Sequence, residues 1–103
     1  MRVRVLSPAT EEITAAALWF DSQSPGLGGQ FWQSVDKLLG QIEENPFRFG
    51  KSEFATPEID FRFAMVPRFK YVVHFAIDSE EVLIIAIGHA ARKPGYWLRR
   101  AKE

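Results

Sequence analysis

The chain has no cysteine, only two histidines and no net charge. Without cysteine, neither disulfide bonds nor thiolate chemistry is available. Two histidines are few for a transition-metal site, and the sequence predicts neither a metal nor a cofactor. The 13 basic and 13 acidic residues cancel, so the net charge alone does not point to a nucleic-acid partner.

Long apolar runs are also missing. No run reaches the roughly 20 residues that span a bilayer, and the start MRVRVLSP lacks the apolar core of a signal peptide. A cytoplasmic protein with no membrane partner is therefore expected. A length of 103 residues suits one domain, which we assign to residues 1–103, and is too short for two.

The pattern between Arg68 and Gly88 predicts the centre of a β-sheet. From Arg68 to Ile77 apolar residues alternate with others, as in a strand that turns one face to a core. Residues 82–87 are apolar at every position, which is typical of a strand covered on both faces. The polar segment Asp78–Glu81 is the predicted hairpin loop between the two strands.

Two amphipathic helices are predicted before this hairpin. The first begins at Ser7-Pro8, with Ser7 as the expected N-cap, and ends at the segment Asp21–Gly29. The second spans about residues 29–44 and ends at Asn45-Pro46, because the residue before a proline avoids helical geometry. The predicted buried stripes are Ala9, Ile13, Ala16, Ala17 and Phe20 in the first helix and Phe31, Val35, Leu38 and Ile42 in the second.

The remaining pattern completes an α+β fold. Residues 2–5 and 59–65 alternate as strands, and a short helix is predicted from Pro94. The order strand, helix, helix and three strands places an antiparallel helical hairpin on one face of a mostly antiparallel sheet. Three aromatic residues, Phe47, Phe49 and Phe54, are expected to pin the loop before the second strand to the core. The other sheet face is predicted to be mainly basic, carrying Arg2, Arg4, Asp60, Arg62, Ala64, Lys70, His74 and Ala76.

Two stretches of the sequence resemble toxins of the RelE/ParE family. Residues 9–46 contain A-x-E-E-I, then W-F, P-G-L-G-x-x-F, V-x-x-L-x-x-I and N-P. Residues 68–99 contain R-F-x-Y-V-V-x-F, an apolar strand and H-x-x-R-x-P-x-Y-W-x-x-R. No single motif is specific, but their combination in this order covers nearly the whole chain.

The resemblance implies the toxin of a type II toxin–antitoxin (plasmid-stabilisation) module, neutralised by a cognate antitoxin. ParE-like members inhibit DNA gyrase and are not hydrolases, whereas RelE-like members are mRNA interferases that cleave messenger RNA on the ribosome. The helical hairpin motifs and the ending R-x-P-x-Y-W-x-x-R favour the ParE-like branch. The alternatives are a RelE-like endoribonuclease and a non-toxic protein that keeps the fold and only binds partners.

The two branches predict different roles for the same basic surface. RNA cleavage without a metal needs a base, an acid and a group that stabilises phosphorane charge. The RelE-like candidates are Arg62, His74, Arg92 and Tyr96, although about half of that family's constellation is missing here. The ParE-like reading instead predicts target or partner contacts at His89, Arg92, Tyr96, Arg99 and Arg100.

Trp19 and Trp32 lie off the main helical stripes and are predicted as exposed anchors for the antitoxin, together with Leu39. Alternatively, a wider buried stripe covers them. For Arg92, the competing interpretation is a salt bridge that holds the C-terminal segment. For His74 and His89, the competing interpretation is a structural role, and Trp97 is expected to pack in the interior.

Overall fold

The helical hairpin lies on one face of a four-stranded sheet, so the predicted α+β fold is confirmed. The elements of the computed structural model, which describes residues 1–102, are β1 (Arg2–Val5), α1 (Ser7–Gln23), α2 (Leu27–Glu44), β2 (Asp60–Val66), β3 (Tyr71–Ile77) and β4 (Glu81–His89), with 3-10 turns at Pro46–Arg48 and Leu98–Lys102. Glu103, the last residue of the predicted domain, lies outside the described residues.

The strand order is β1-β4-β3-β2, which puts the predicted hairpin of β3 and β4 at the centre of the sheet. β3 pairs with β2 and β4 in antiparallel fashion, and β1 lies parallel to β4. A parallel pair needs a crossover. Here the two helices carry the chain from β1 at one edge of the sheet to β2 at the other, and β3 and β4 then return it to β1. Among the described residues, no helix has the length and apolar character required to cross a membrane.

The helix stripes are those predicted, but the helix ends differ. The cap of α1 is Leu6 and not Ser7, because the Leu6 N–H bonds to the carbonyl of Ile84 and keeps Leu6 extended. α1 also continues to Gln23, and only residues 24–26 connect it to α2. Asp21 was predicted to lie in a loop, yet its carboxylate accepts a 2.7 Å hydrogen bond from the Gly28 N–H and joins the two helices.

The alternation along β2 is real, but its predicted phase is wrong. Ala64 and Val66 face the helices and belong to the core. Phe63 pairs with His74 on the opposite face and is 40% exposed, and Met65 is 48% exposed. Phe61, Phe63 and Met65 are more apolar than the set that contains Asp60 and Arg62, so hydrophobicity favoured the wrong face for the helices.

Arg62 consequently lies on the helix side of β2 instead of the basic face predicted for it. Its side chain is only 12% exposed and bonds to the Asp60 carboxylate at 3.0 Å. The same guanidinium donates to the carbonyl oxygens of Phe47 and Phe49, at 3.1 and 2.7 Å. Arg62 therefore ties the turn after α2 to the sheet. The Phe47 side chain is 57% exposed, so its predicted pinning role is wrong, whereas Phe49 packs against the core as expected.

The second face of the sheet is covered by the C-terminal segment and is not the basic surface that was predicted. A second apolar cluster forms there, with Phe61, Ile85, Ala86 and the fully buried Trp97. Lys70 lies in the turn before β3 with a φ of 56° and not on this face. Arg2 and Arg4 do remain exposed on β1.

A β-bulge in β4 explains why every residue of its central run is apolar. Phe75 pairs with Ile84 and His74 pairs with Ala86, so Ile85 is the extra residue. The bulge reverses the alternation, and neighbouring residues reach both apolar clusters. β4 is thus buried on both faces, as the sequence predicted.

Candidate functional site

A groove of about 530 Å³ lies between the sheet and the C-terminal segment. Exposed apolar side chains of β2, Phe63 and Met65, form one wall. The segment from Arg92 to Trp97 forms the other wall and brings the positive charges of Arg92 and Lys93. Lys51 adds a third positive charge to the lining, and Glu53 adds one negative charge. The groove is therefore an apolar channel with cationic edges.

Small residues in β4 make room for the aromatic wall of this groove. The Tyr96 hydroxyl sits directly over Gly88, where a Cβ atom would collide with it. Trp97 stacks on the ring of His74, with ring centroids 4.9 Å apart and planes 26° apart. Ala86 and Gly88, in an otherwise bulky strand, were a sequence signal that an aromatic segment lies across this face.

Tyr96 is surrounded by positive charge but keeps its proton. The Arg92 guanidinium carbon lies 3.6 Å from the ring centroid and that of Arg100 lies 5.6 Å away. Burial, and secondarily the Glu12 carboxylate, raise the pKa of the phenol, while the two arginines oppose this. The hydroxyl is buried and has no hydrogen-bond partner among the described residues. Tyr96 is therefore neutral near pH 7 and a poor base.

His74 is also neutral at physiological pH. Burial lowers its pKa from 6.5 to about 4, although the Glu12 carboxylate acts in the opposite direction. Its Nδ1 is buried and unbonded within the described part of the chain. A general acid must carry a proton at the working pH, and a good base has a pKa near it. His74 meets neither requirement, and its stacking on Trp97 indicates a packing role.

Glu12 of α1 is a residue of this region that sequence reasoning missed. Its carboxylate accepts hydrogen bonds from Arg100 at 2.7 Å, from Arg92 at 3.3 Å and from the backbone N–H of Ile87 at 3.1 Å. The hydrogen bond with Glu12 is the main cause that raises the pKa of Arg100. Arg100 thus turns inward and is half-buried, while Arg99 is exposed. All three partners of Glu12 are more than 70 residues away in the sequence, so no local pattern indicates the pairing.

Comparisons with known proteins identify the family. A sequence model described as the ParE toxin of the type II toxin–antitoxin system parDE matches residues 3–94. The chain belongs to the ParE toxin family. The predicted resemblance to RelE/ParE toxins is therefore confirmed.

A solved structure described as the chromosomal ParDE TA system from P. aeruginosa has a similar fold. The TM-score is 0.72 at 13% sequence identity, over 86% of this chain and 95% of the other. At this low identity the match shows the fold alone. No curated protein matches the sequence.

In this ParE-family fold, four of the nine predicted site residues share the groove. His74, His89, Arg92 and Tyr96 all line it, whereas Arg62 lies on the opposite sheet face. His89 is exposed at the end of β4, and its Nδ1 accepts a hydrogen bond from the Ala91 N–H at 3.0 Å. Their roles in binding or catalysis stay predictions.

The predicted antitoxin anchors lie on the helical hairpin, and Trp19 borders the groove because it lines a surface pocket together with His89 and Arg92. Trp19 is 55% exposed and Trp32 is 40% exposed, so the interpretation that a wider stripe buries them is wrong. Leu18, which was not predicted, is 67% exposed. Leu39 instead packs against the core. We call Leu18, Trp19 and Trp32 the apolar ridge.

Among the described residues, no three His, Cys, Asp or Glu side chains come together in a way that could hold a metal ion.

Proposed function

We propose that this member of the ParE toxin family inhibits DNA gyrase by binding it, and that a cognate antitoxin neutralises it. The observation that carries the proposal is the state of three of the four catalytic candidates. Arg62 lies across the sheet from His74, His74 has a pKa of about 4, and the raised pKa of Tyr96 keeps its phenol neutral. This arrangement favours a surface that binds a partner over one that transfers protons.

The chemistry of the groove supports binding. Phe63 and Met65 offer exposed apolar area beside the positive charges of Arg92 and Lys93. An apolar centre with a charged rim is the usual anatomy of a protein-binding surface. The groove therefore fits an acidic, partly apolar segment of a protein target. Gyrase and antitoxin both act in the cytoplasm, where we place this protein.

The apolar ridge supports a separate antitoxin interface. Large exposed aromatic side chains commonly dominate the binding energy of protein interfaces. Trp19 borders the groove, because it lines a surface pocket together with His89 and Arg92, whereas Trp32 lies on α2 outside the groove lining. Trp32 is therefore the residue at which antitoxin binding can be tested separately from target binding at the groove.

The test is a supercoiling assay with purified gyrase, with and without this protein, which also measures the accumulation of cleaved DNA. Inhibition or trapped cleaved DNA is expected. Arg92→Ala, which removes a charge from the groove, should weaken it, whereas Lys37→Ala, on the exposed face of α2, should not. Full gyrase activity in the presence of protein that arrests growth on expression would contradict the proposal.

A RelE-like mRNA interferase is the second candidate, because His74, Arg92 and Tyr96 do share one groove. Cleavage of messenger RNA in a translating extract, together with unaffected gyrase, would favour it. Normal growth on expression, with the antitoxin still bound, would instead favour the non-toxic binding protein. The growth and gyrase measurements together separate the three functions.

A further inference from the structure

We infer that Glu12 is the positioning residue that holds the C-terminal segment, residues 90–102, so that Arg92 and Tyr96 are presented at the groove. The inference deepens the proposed target binding and rests on it for its functional part. The two halves of β4 have different neighbours, and Glu12 contacts the second half.

The first half of β4 pairs with β1, but this pairing stops at Ile84 because β1 is only four residues long. In the second half, the Ile87 N–H donates to Glu12 at 3.1 Å and the Ile85 carbonyl accepts from Arg100 at 3.3 Å. Unpaired backbone groups in a buried strand are costly, so these contacts matter to the sheet. The side chains of Glu12 and Arg100 thus supply backbone hydrogen-bond partners that a neighbouring strand would otherwise supply.

The same carboxylate organises the wall of the groove. One Glu12 oxygen accepts from Arg92 at 3.3 Å and from Arg100 at 3.2 Å. Both guanidinium groups approach the ring of Tyr96, that of Arg92 within 3.6 Å of its centroid. Arg92 is held by one exposed salt bridge and a ring contact, so its position depends on Glu12.

Trp97 anchors the segment independently of Glu12. It is 1% exposed and packs against Phe61 and Phe54, with ring centroids 5.1 and 5.7 Å away. Loss of Glu12 should therefore loosen the residues on either side of Trp97 without detaching the segment. Glu12→Gln keeps an oxygen that can accept from the Ile87 N–H, which favours a folded variant.

The experiment compares Glu12→Gln with Glu11→Gln in the full chain. The control removes the same charge from the adjacent, exposed position. Amide hydrogen exchange in residues 90–102 should become about tenfold faster or more in Glu12→Gln, since a segment that loses charge-assisted hydrogen bonds opens locally. Exchange in α2 and β3 should stay as in the wild type. Glu11→Gln should change the profile far less than Glu12→Gln, because Glu11 is the weakest of the influences that raise the pKa of Arg100.

The functional arm measures the protein concentration that half-inhibits gyrase supercoiling. This concentration should rise in Glu12→Gln by roughly the same factor as the exchange rate. The reason is that only molecules with an ordered C-terminal segment bind the target. A role in general stability would instead speed exchange along the whole chain.

Wild-type exchange in residues 90–102 of folded Glu12→Gln would overturn the inference, as would uniform loosening or an equal effect of Glu11→Gln. If Glu12→Gln does not fold, Arg100→Gln replaces it, because it breaks the same ion pair and leaves the Ile87 N–H bonded. The exchange result does not depend on the target. If the gyrase proposal fails, the exchange measurement still decides whether Glu12 positions the C-terminal segment.

Discussion

Burial determines the charge state of single residues around the groove. His74 and Tyr96 both carry titratable groups, and desolvation favours the neutral form of each. Arg100 keeps its charge because Glu12 accompanies it into the interior. The pKa values of His74 and Tyr96 therefore differ from those of the same residue types on an open surface, and the difference can be measured.

The pH dependence of stability should reveal His74. The unfolded chain binds a proton at His74 near pH 6.5, and the folded chain only near pH 4. The stability that depends on neutral His74 is therefore fully present above pH 6.5, and it is lost as the pH falls toward 4. The contribution should be about 1 kcal/mol between pH 7 and pH 5, reduced for partial exposure.

Urea unfolding at the two pH values measures this contribution. His74→Phe keeps a ring for Trp97 to stack on and should lose that part of the pH dependence. His89→Gln, which alters the exposed histidine, should retain it. Equal pH dependence in His74→Phe and the wild type would show that His74 titrates normally.

The close contact of Gly88 with Tyr96 gives a second prediction at this scale. A methyl group at position 88 would collide with the Tyr96 hydroxyl and crowd its ring carbon. Gly88→Ala should therefore cost about 1–3 kcal/mol in the free energy of unfolding. Tyr96→Phe in the same chain should recover part of this loss, because the colliding oxygen is gone. Purely additive effects of the two changes would contradict the contact.

At the scale of secondary structure, β2 shows what alternation can and cannot predict. A period of two identified the strand, since every second residue shares a face. The phase was wrong because Phe61, Phe63 and Met65 resemble core residues by composition. In the fold, Phe61 meets Trp97 of the C-terminal segment, and Phe63 and Met65 remain exposed in the groove. The partner of that face lies more than 30 residues later, beyond any local pattern.

The helix-side position of Arg62 predicts a structural role. Arg62→Ala should lower the free energy of unfolding by about 2 kcal/mol, because two carbonyls and Asp60 lose a half-buried partner. Growth arrest should persist at temperatures where the variant stays folded. Lys37→Ala, on the exposed face of α2, should change stability by less than about 0.5 kcal/mol. Loss of toxicity in folded Arg62→Ala would return Arg62 to the catalytic candidates.

At the scale of the whole molecule, the fold presents two exposed surfaces that meet near Trp19. The groove combines apolar and positively charged side chains, and the apolar ridge on the helical hairpin carries large hydrophobic ones. A toxin that must be both active and neutralised can use two such surfaces for its target and its antitoxin. Because Trp32 lies outside the groove lining, it is the position at which antitoxin binding can be weakened alone.

The apolar ridge predicts selective loss of antitoxin binding. Trp32→Ala or Trp19→Ala should weaken antitoxin affinity by more than about 1 kcal/mol, roughly fivefold or more in the dissociation constant. The melting temperature should fall only modestly, because Trp19 is 55% and Trp32 is 40% exposed. Gln33→Ala, an exposed neighbour on α2, is the matched control. Unchanged affinity in both tryptophan variants would remove the ridge from the antitoxin interface.

The sequence by itself determined the elements of this protein, their order and its family. Helical stripes such as Phe31 to Ile42 and the apolar run of β4 are local patterns, and hydrophobic periodicity encodes them directly. The tertiary structure alone decided the phase of β2, the inward turn of Arg100 and the role of Glu12. Each of these depends on contacts between residues far apart in the chain, and the energy of such a contact is absent from either segment taken alone.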